Sequence, residues 1–295
     1  MRRPSGVAVM LLAAIALWAV DLSATRWVLT HGFAPLAYGT VRYGLAAAVF
    51  VVIGLAAERS LRLGRHDLLV AVAAGVVGYV NQLGFVYALR GTSASVIALI
   101  LALTPFFVAA LGLALGREQF HGRFWAGAAL SVVGVGVVAF GTGGNVTGDL
   151  IGVALGLLTA ATWAIYSVLV TPLMQRYSAT RISAVVLGLS WVLLAVTGAP
   201  QLREQRLDVG FWVWALIVFT TLGPLVAANV LWFRSLDRIG PARATLAANL
   251  LPFAAALVAV VVLGEHLHPL LLAGGVLIAA GILVARRRGA APPEA

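Results

Sequence analysis

Residues 103–118 read LTPFFVAALGLALGRE, and residues 250–265 read LLPFAAALVAVVVLGE. Pro105 and Pro252 stand 147 positions apart, and so do Glu118 and Glu265. The same spacing pairs Gly127 with Gly274 and Gly134 with Gly281. At a spacing of 145, Trp18-Ala19 matches Trp163-Ala164. Single matches mean little in a chain rich in Ala and Gly. A proline, a glutamate and two glycines in one frame signal an internal duplication.

Each copy of that stretch is an apolar run, and the rest of the chain is built alike. Of 295 residues, 62% are hydrophobic and 10% are charged. Soluble domains carry about 45–50% apolar and about 25% charged residues. Too few polar groups exist to cover a surface in water, which excludes a soluble enzyme and a disordered chain. The absence of cysteine excludes a disulfide scaffold.

A spanning helix needs about 20 mostly apolar residues. The turn residues and charges divide the sequence into ten such helices, near 7–29, 35–57, 68–89, 92–115, 123–141, 149–172, 180–199, 210–233, 242–263 and 269–286. The first is long enough to span and lacks a cleavage site of small residues, so it reads as helix one and not as a signal peptide. All twenty basic residues are Arg. With the N-terminus inside, fifteen fall in cytoplasmic segments and three (Arg90, Arg203 and Arg206) in outer ones. That bias predicts ten spans with both ends in the cytoplasm. It also accounts for the net charge of +10 without a nucleic-acid partner, since no basic face with interleaved polar residues exists.

The duplication then assigns residues 1–145 to a first five-helix repeat, 146–289 to a second, and 290–295 to a cytoplasmic tail. Five is odd, so the second repeat enters the membrane upside down. Inverted repeats belong to transporters, which reach one midplane site from either side. The fold class expected is an all-α polytopic membrane protein with an inverted five-plus-five repeat.

Three stretches carry a family resemblance. They are Leu17-Trp18-Ala19-Val20-Asp21-Leu22-Ser23-Ala24-Thr25-Arg26; Val41-Arg42-Tyr43; and the duplicated Leu103-Thr104-Pro105-Phe106 to Glu118 and Leu251-Pro252-Phe253 to Leu263-Gly264-Glu265. With them the chain resembles the EamA-like, ten-helix type of the drug/metabolite transporter superfamily over nearly its whole length. The resemblance implies secondary export across the bacterial inner membrane, without ATP, of amino acids, nucleosides, drugs or other metabolites. No GxxxxGK[ST] phosphate loop is present. In the first stretch the family usually has Asn where this chain has Asp21.

Charges at the bilayer centre cost at least about 2.5–3.5 kcal/mol on insertion scales, so each needs a reason. Asp21, Arg26 and Arg42 are the three, and their counterparts in the second half, Tyr166, Thr171 and Leu187, are neutral. Asp21 reads either as a group that binds a proton or a substrate cation, or as a structural partner of Arg42 or Arg26. Arg42 reads as a gate pairing with Asp21 or as a holder of a substrate carboxylate. Arg26, near its helix end, reads as an anchor that snorkels.

Trp18 and Asp21 share a helix face, as do Trp163 and Tyr166, and Tyr79 and Gln82. With Asn229 they form the expected cavity wall, suited to a flat amphipathic solute. Interhelical hydrogen bonding is the alternative for Gln82, Asn229 and Asn249. Trp27, Tyr38, Trp125 and Trp212 fit an interfacial belt. Pro105 and Pro252, near the middle of helices four and nine, read as hinges or static kinks, with Thr104 or Asn249 able to satisfy the carbonyls they free. Glu118 and Glu265 read as caps or loop partners. The Gly112/Gly116 and Gly152/Gly156 pairs read as internal packing, with a dimer as the alternative; a monomer is expected. His266 and His268 are too sparse for a metal site. The function expected is a secondary exporter of small amphipathic metabolites, working by alternating access without a cofactor. A proton-coupled multidrug antiporter using Asp21 is the alternative.

Overall fold

The computed structural model describes residues 4–116, 122–140, 146–239, 250–265 and 268–286. The described residues are helical, with no strand among them. The helices are α1 (Pro4–Thr30), α2 (Pro35–Glu58), α3 (Arg65–Gly91), α4 (Ala94–Leu101), α5 (Thr104–Ala114), α6 (Gly122–Phe140), α7 (Val146–Met174), α8 (Ala179–Glu204) and α9 (Phe211–Thr220). A π-helical stretch (Thr221–Ala228) follows, then α10 (Asn229–Ile239), α11 (Leu251–Leu263) and α12 (Pro269–Arg286). Seven described helical segments are long and apolar enough to cross a membrane, and three shorter apolar helices accompany them (Gly122–Val137, Leu251–Leu263 and Pro269–Val284).

Two of the expected helices are not continuous. The segment expected at 92–115 is broken at Ala102-Leu103 into α4 and α5. Pro105 therefore sits in the first turn of a new helix, where a missing N–H costs nothing, and not in mid-helix. Pro252 takes the same place in α11. The carbonyl that Pro105 frees is that of Leu101, four residues back, and the Thr104 hydroxyl donates to it at 2.7 Å. The segment expected at 210–233 widens into the π stretch around Gly223-Pro224. Pro224 has no N–H to give, and its ring crowds the turn before it. The Thr221 hydroxyl takes up the Ile217 carbonyl there, at 2.7 Å. Asn249 and Glu118 lie outside the described residues.

Close packing pairs the helices antiparallel. A Cβ on Gly134 would fall 2.8 Å from the Gly274 carbonyl oxygen, and one on Gly281 would fall 2.5 Å from that of Gly127. The contacts run in opposite order along α6 and α12, so the two helices are antiparallel. The four glycines that carried the sequence repeat thus face each other crosswise. Between α2 and α8, a Cβ on Gly198 would meet the Leu36 carbonyl oxygen at 3.0 Å, and the Thr40 hydroxyl donates to the Leu194 carbonyl at 3.0 Å. Between α3 and α7, the Asn81 amide donates to the Thr159 carbonyl (2.8 Å) and the Thr162 hydroxyl (3.0 Å). Gly152 and Gly156 lie against Thr92, Ile97 and Ile100, which puts that small-residue pair to use inside the chain.

At one end of the bundle Asp67 accepts from Arg176 (2.7 Å) and from the Tyr177 hydroxyl (2.9 Å), and Glu58 pairs with Arg181 (2.7 Å). At the other end Gln201 and Gln205 accept from the Leu36 and Ala34 amides, at 2.8 and 2.7 Å. Those two amides belong to the open N-terminus of α2, so the glutamines cap it.

The crossing of α6 and α12 predicts a stability contrast. Gly281→Val places side-chain atoms where the Gly127 carbonyl and the Ser131 backbone stand. Overpacking of this kind costs about 1–3 kcal/mol, or roughly 2–10 °C in Tm for a chain of this size. Gly136→Val enters open space and leaves Tm unchanged. Thermal unfolding in detergent compares the two, and equal Tm values would count against this packing.

Candidate functional site

One group of buried polar side chains gathers where the second half of α1 meets the first half of α2. Asp21 and Arg42 are both buried, and the Arg42 Nη2 donates to Asp21 Oδ2 at 2.7 Å. Of the two partners weighed for Asp21, Arg42 is the one the fold supplies. Arg26 turns away, its Nε 3.5 Å from Glu265 and its Nη1 donating to the Leu89 carbonyl at 3.0 Å. It is bound to protein on two sides, not simply anchored at a helix end.

The other Asp21 oxygen, Oδ1, accepts a long hydrogen bond from Thr25 (3.4 Å). The Thr25 hydroxyl shares its one proton between Asp21 and the Tyr38 hydroxyl 2.8 Å away, and Tyr38 donates to Thr220 at 2.9 Å. A polar chain thus runs from Asp21 to the last residue before the π stretch. Tyr38, expected at the membrane interface, is instead fully buried. The sequence signal was there in Thr25 and Thr220, two hydroxyls in apolar spans that needed partners. The Arg42 guanidinium lies 5.7 Å from the Tyr38 ring centre and 6.0 Å from that of Phe85, within cation–π range.

Gln82, on α3, is buried beside Gly39 of α2. Its amide nitrogen has no hydrogen-bond partner, and neither has the Arg42 Nε. Gln82 and Phe85 share one face of α3, as Gly39 and Arg42 share one face of α2. Both unpartnered donors belong to residues of the α2–α3 interface.

The expected cavity aromatics form two separate pairs. Trp18 packs on Trp232 with ring centres 5.3 Å apart, and its indole N–H donates to the Pro224 carbonyl at 3.2 Å. Trp163 stacks on Tyr166 at 5.4 Å with Trp163 largely exposed on α7. Tyr79 packs into the apolar cluster of Tyr43, Phe50 and Leu187. The Asn229 amide donates to the Leu225 carbonyl of its own helical run at 2.6 Å, another repair of the π stretch. Trp18, Tyr79, Tyr166 and Asn229 are all half-buried. The structure joins Asp21 to Arg42, brings Gln82 against Gly39 of α2 and sets Trp18 against the irregular turn. It does not gather all seven residues round one point.

Glu265 has a distinct task. Gly264 adopts a left-handed φ of 64° and ends α11. The turn carries the Glu265 carboxylate to the start of α4, where it accepts from the Ala94 and Ser95 amides (2.9 and 3.2 Å) and the Ser95 hydroxyl (2.7 Å). A carboxylate on open helix amides is favourable by hydrogen bonding and by the helix dipole. Beside it lies a recess of about 330 Å³ bounded by Arg26, Trp27, Thr30, His31 and Glu265.

The EamA-like transporter family model matches the chain twice, over residues 4–140 and 150–287. A "probable terminal-alkyne amino-acid exporter" of Streptantibioticus cattleyicolor is 26% identical over 92% of this chain and 94% of its own. A "probable amino-acid metabolite efflux pump" of Salmonella typhimurium is 25% identical over 92% of each. An uncharacterized transporter of Bacillus subtilis is 27% identical over 86% of this chain and 85% of its own. One protein of known crystal structure superposes with a TM-score of 0.66 over 97% of this chain and 100% of its own, at 22% identity, and so shares the fold. With both halves of its length matched by one family model, an apolar helical fold and a buried charged pair at membrane depth, this chain is a membrane transporter of the EamA-like family.

Proposed function

We propose that the protein is a secondary exporter of small amphipathic metabolites, amino acids first among them. The observation that carries this reading is the buried Asp21–Arg42 pair. Charges kept at membrane depth, paired and unexposed, mark a substrate or ion path. Two relatives named for amino-acid export or efflux supply the substrate class.

Alternating access follows from the layout. Residues 1–145 and 146–289 are read as two five-helix repeats of opposite orientation, with 290–295 as a tail. Three observations support this: the twofold family match, the crosswise meeting of Gly127/Gly134 with Gly274/Gly281, and the antiparallel pairing of α2 with α8 and α3 with α7. The bacterial inner membrane, with both termini in the cytoplasm, agrees with the arginine bias. A monomer agrees with the use of Gly152 and Gly156 inside the chain. Pro105 and Pro252, each opening a short helix, are the hinges in this reading, and no cofactor takes part. Trp18, Trp163 and Tyr166 are the apolar walls the solute slides along.

One observation favours a second reading, a proton-coupled multidrug antiporter. Asp21 is a buried carboxylate, and the hydrogen-bonded chain through Thr25, Tyr38 and Thr220 links its state to α9. Proteoliposomes holding the full-length protein separate the two. An amino-acid exporter moves a labelled neutral amino acid down its own gradient whatever the pH difference. An antiporter moves a cationic dye only against a proton gradient. Failure of every labelled amino acid to move above empty liposomes would sink the first reading.

The Asp21→Asn variant gives a second, independent comparison. In the exporter, whatever transport the variant supports stays indifferent to the pH difference. In the antiporter, proton-driven dye movement disappears while dye binding remains. Loss of proton-driven movement in that variant would transfer the assignment to the antiporter.

A further inference from the structure

We propose that the Asp21–Arg42 pair is the recognition site for a zwitterion, and that the substrate's α-carboxylate and α-ammonium separate the two side chains and take their places on them. This rests on the amino-acid export reading and names how that substrate is held.

The geometry of the pair points this way. A guanidinium offers a carboxylate two parallel N–H bonds from a fixed fork. Asp21 uses one, from Nη2 at 2.7 Å, and turns its second oxygen to Thr25. The Arg42 Nε is buried and has no partner. Across the α2–α3 interface the Gln82 amide nitrogen is likewise buried and without a partner. A buried donor left unpaired costs about 1–3 kcal/mol, and here two occur at the α2–α3 interface, one of them on the cation itself. An arriving carboxylate fills Nε and Nη2 together and takes a further bond from Gln82. It replaces one contact by three.

Charge balance decides which carboxylate. Removing one member of a buried ion pair costs about 3–5 kcal/mol, because the other is left bare. A simple anion on Arg42 strands Asp21, and a simple cation on Asp21 strands Arg42. A zwitterion does neither: its ammonium pairs with Asp21 as its carboxylate pairs with Arg42. The site is neutral before and after, and no charge is exposed to the low dielectric during the exchange. The Thr25–Tyr38–Thr220 chain passes the displacement of Asp21 to the turn before the π stretch, whose hydrogen bonds are already in side-chain hands. The positive Arg42 faces Asp21 of α1, Tyr38 on its own helix and Phe85 of α3. Tyr38 and Phe85 form part of the walls against which a side chain beyond the α-carbon lies.

The test uses the full-length protein in proteoliposomes and the twenty proteinogenic L-amino acids, each labelled. For whichever move, the carboxamide and the N-acetyl derivative are run beside the parent. The carboxamide lacks the carboxylate and the N-acetyl derivative lacks the ammonium. The parent is expected to exchange at least about tenfold more efficiently than either, the worth of one hydrogen bond to a charged group. Gln82→Leu raises the half-saturating parent concentration about tenfold and leaves that of the carboxamide within about twofold. The double variant Asp21→Asn with Arg42→Gln strands no charge, so it keeps the fold where single variants can fail. It exchanges parent, carboxamide and N-acetyl compound alike. Equal handling of all three by the unaltered protein overturns the zwitterion site and leaves the exporter reading standing. A double variant that still prefers the parent overturns it too. If no amino acid moves, the exporter reading falls and this inference falls with it.

Discussion

The 2.7 Å contact between Asp21 and Arg42 is the interaction around which the rest of the site is arranged. Each charge alone would be costly at this depth, on the order of 2.5–3.5 kcal/mol even on the gentler insertion scales. Together they fix α1 against α2 and give every neighbouring polar group its role. Thr25 steadies the free Asp21 oxygen, Tyr38 bridges to Thr220, and Phe85 lies within reach of the guanidinium. Buried ion pairs add little net stability over a well-packed apolar pair. On the exporter reading proposed above, such a pair in a chain with so few charges serves what it recognises more than what it stabilises.

The second constraint is backbone satisfaction. In hydrocarbon each unpaired N–H or C=O costs several kcal/mol, so a helix breaks only where something else bonds the freed groups. Three described breaks obey this. Thr104 takes the Leu101 carbonyl below Pro105, and Thr221 and Asn229 take carbonyls along the π stretch. Ser93 and Glu265 take the first amides of α4. The Glu265 cap comes from the far half of the chain, since α11 and α4 are about 170 residues apart in sequence. One acid therefore ties the halves together at the same end of the bundle where Asp21 pairs with Arg42. Arg26 beside it extends that tie to α1.

Much of this was legible in the sequence because hydropathy and backbone satisfaction leave little choice. Ten apolar segments, their order and most of their ends follow from composition and turn residues alone. The repeat glycines were legible too: Gly127, Gly134, Gly274 and Gly281 do face one another. The ion pair was legible as one of two choices, and geometry picked Arg42. What escaped was the place of the prolines and of Tyr38. A proline in an apolar run reads as a kink, and only the turn at Ala102-Leu103 shows it opening a new helix. Tyr38 reads as a belt residue because it lies three residues into α2, and periodicity says nothing about which way a half-buried face turns. The π stretch escaped because a helix with wider turns has the same composition as an ordinary one. The aromatic residues were singled out for type and spacing, and spacing along one helix does not decide which other helix it meets.

The site and the scaffold differ in symmetry, and that difference bears on mechanism. The scaffold's close contacts are reciprocal, as crosswise glycines between α6 and α12 show. The charged residues are not: Asp21 and Arg42 sit in the first half, and the matching positions Tyr166 and Leu187 are neutral. On the alternating-access reading, a reciprocal scaffold gives two rocking positions of similar energy, which is what access from both sides needs. A single charged pair placed off that symmetry cannot be equally exposed in both. Whatever binds it must then be released by the motion itself, because the partner that Arg42 regains as the bundle closes is Asp21, already attached to α1. On the exporter reading proposed above, the chain carries its own counter-ion for the empty return step, which gives a task to the carboxylate at a position where the family resemblance leads one to expect a neutral amide.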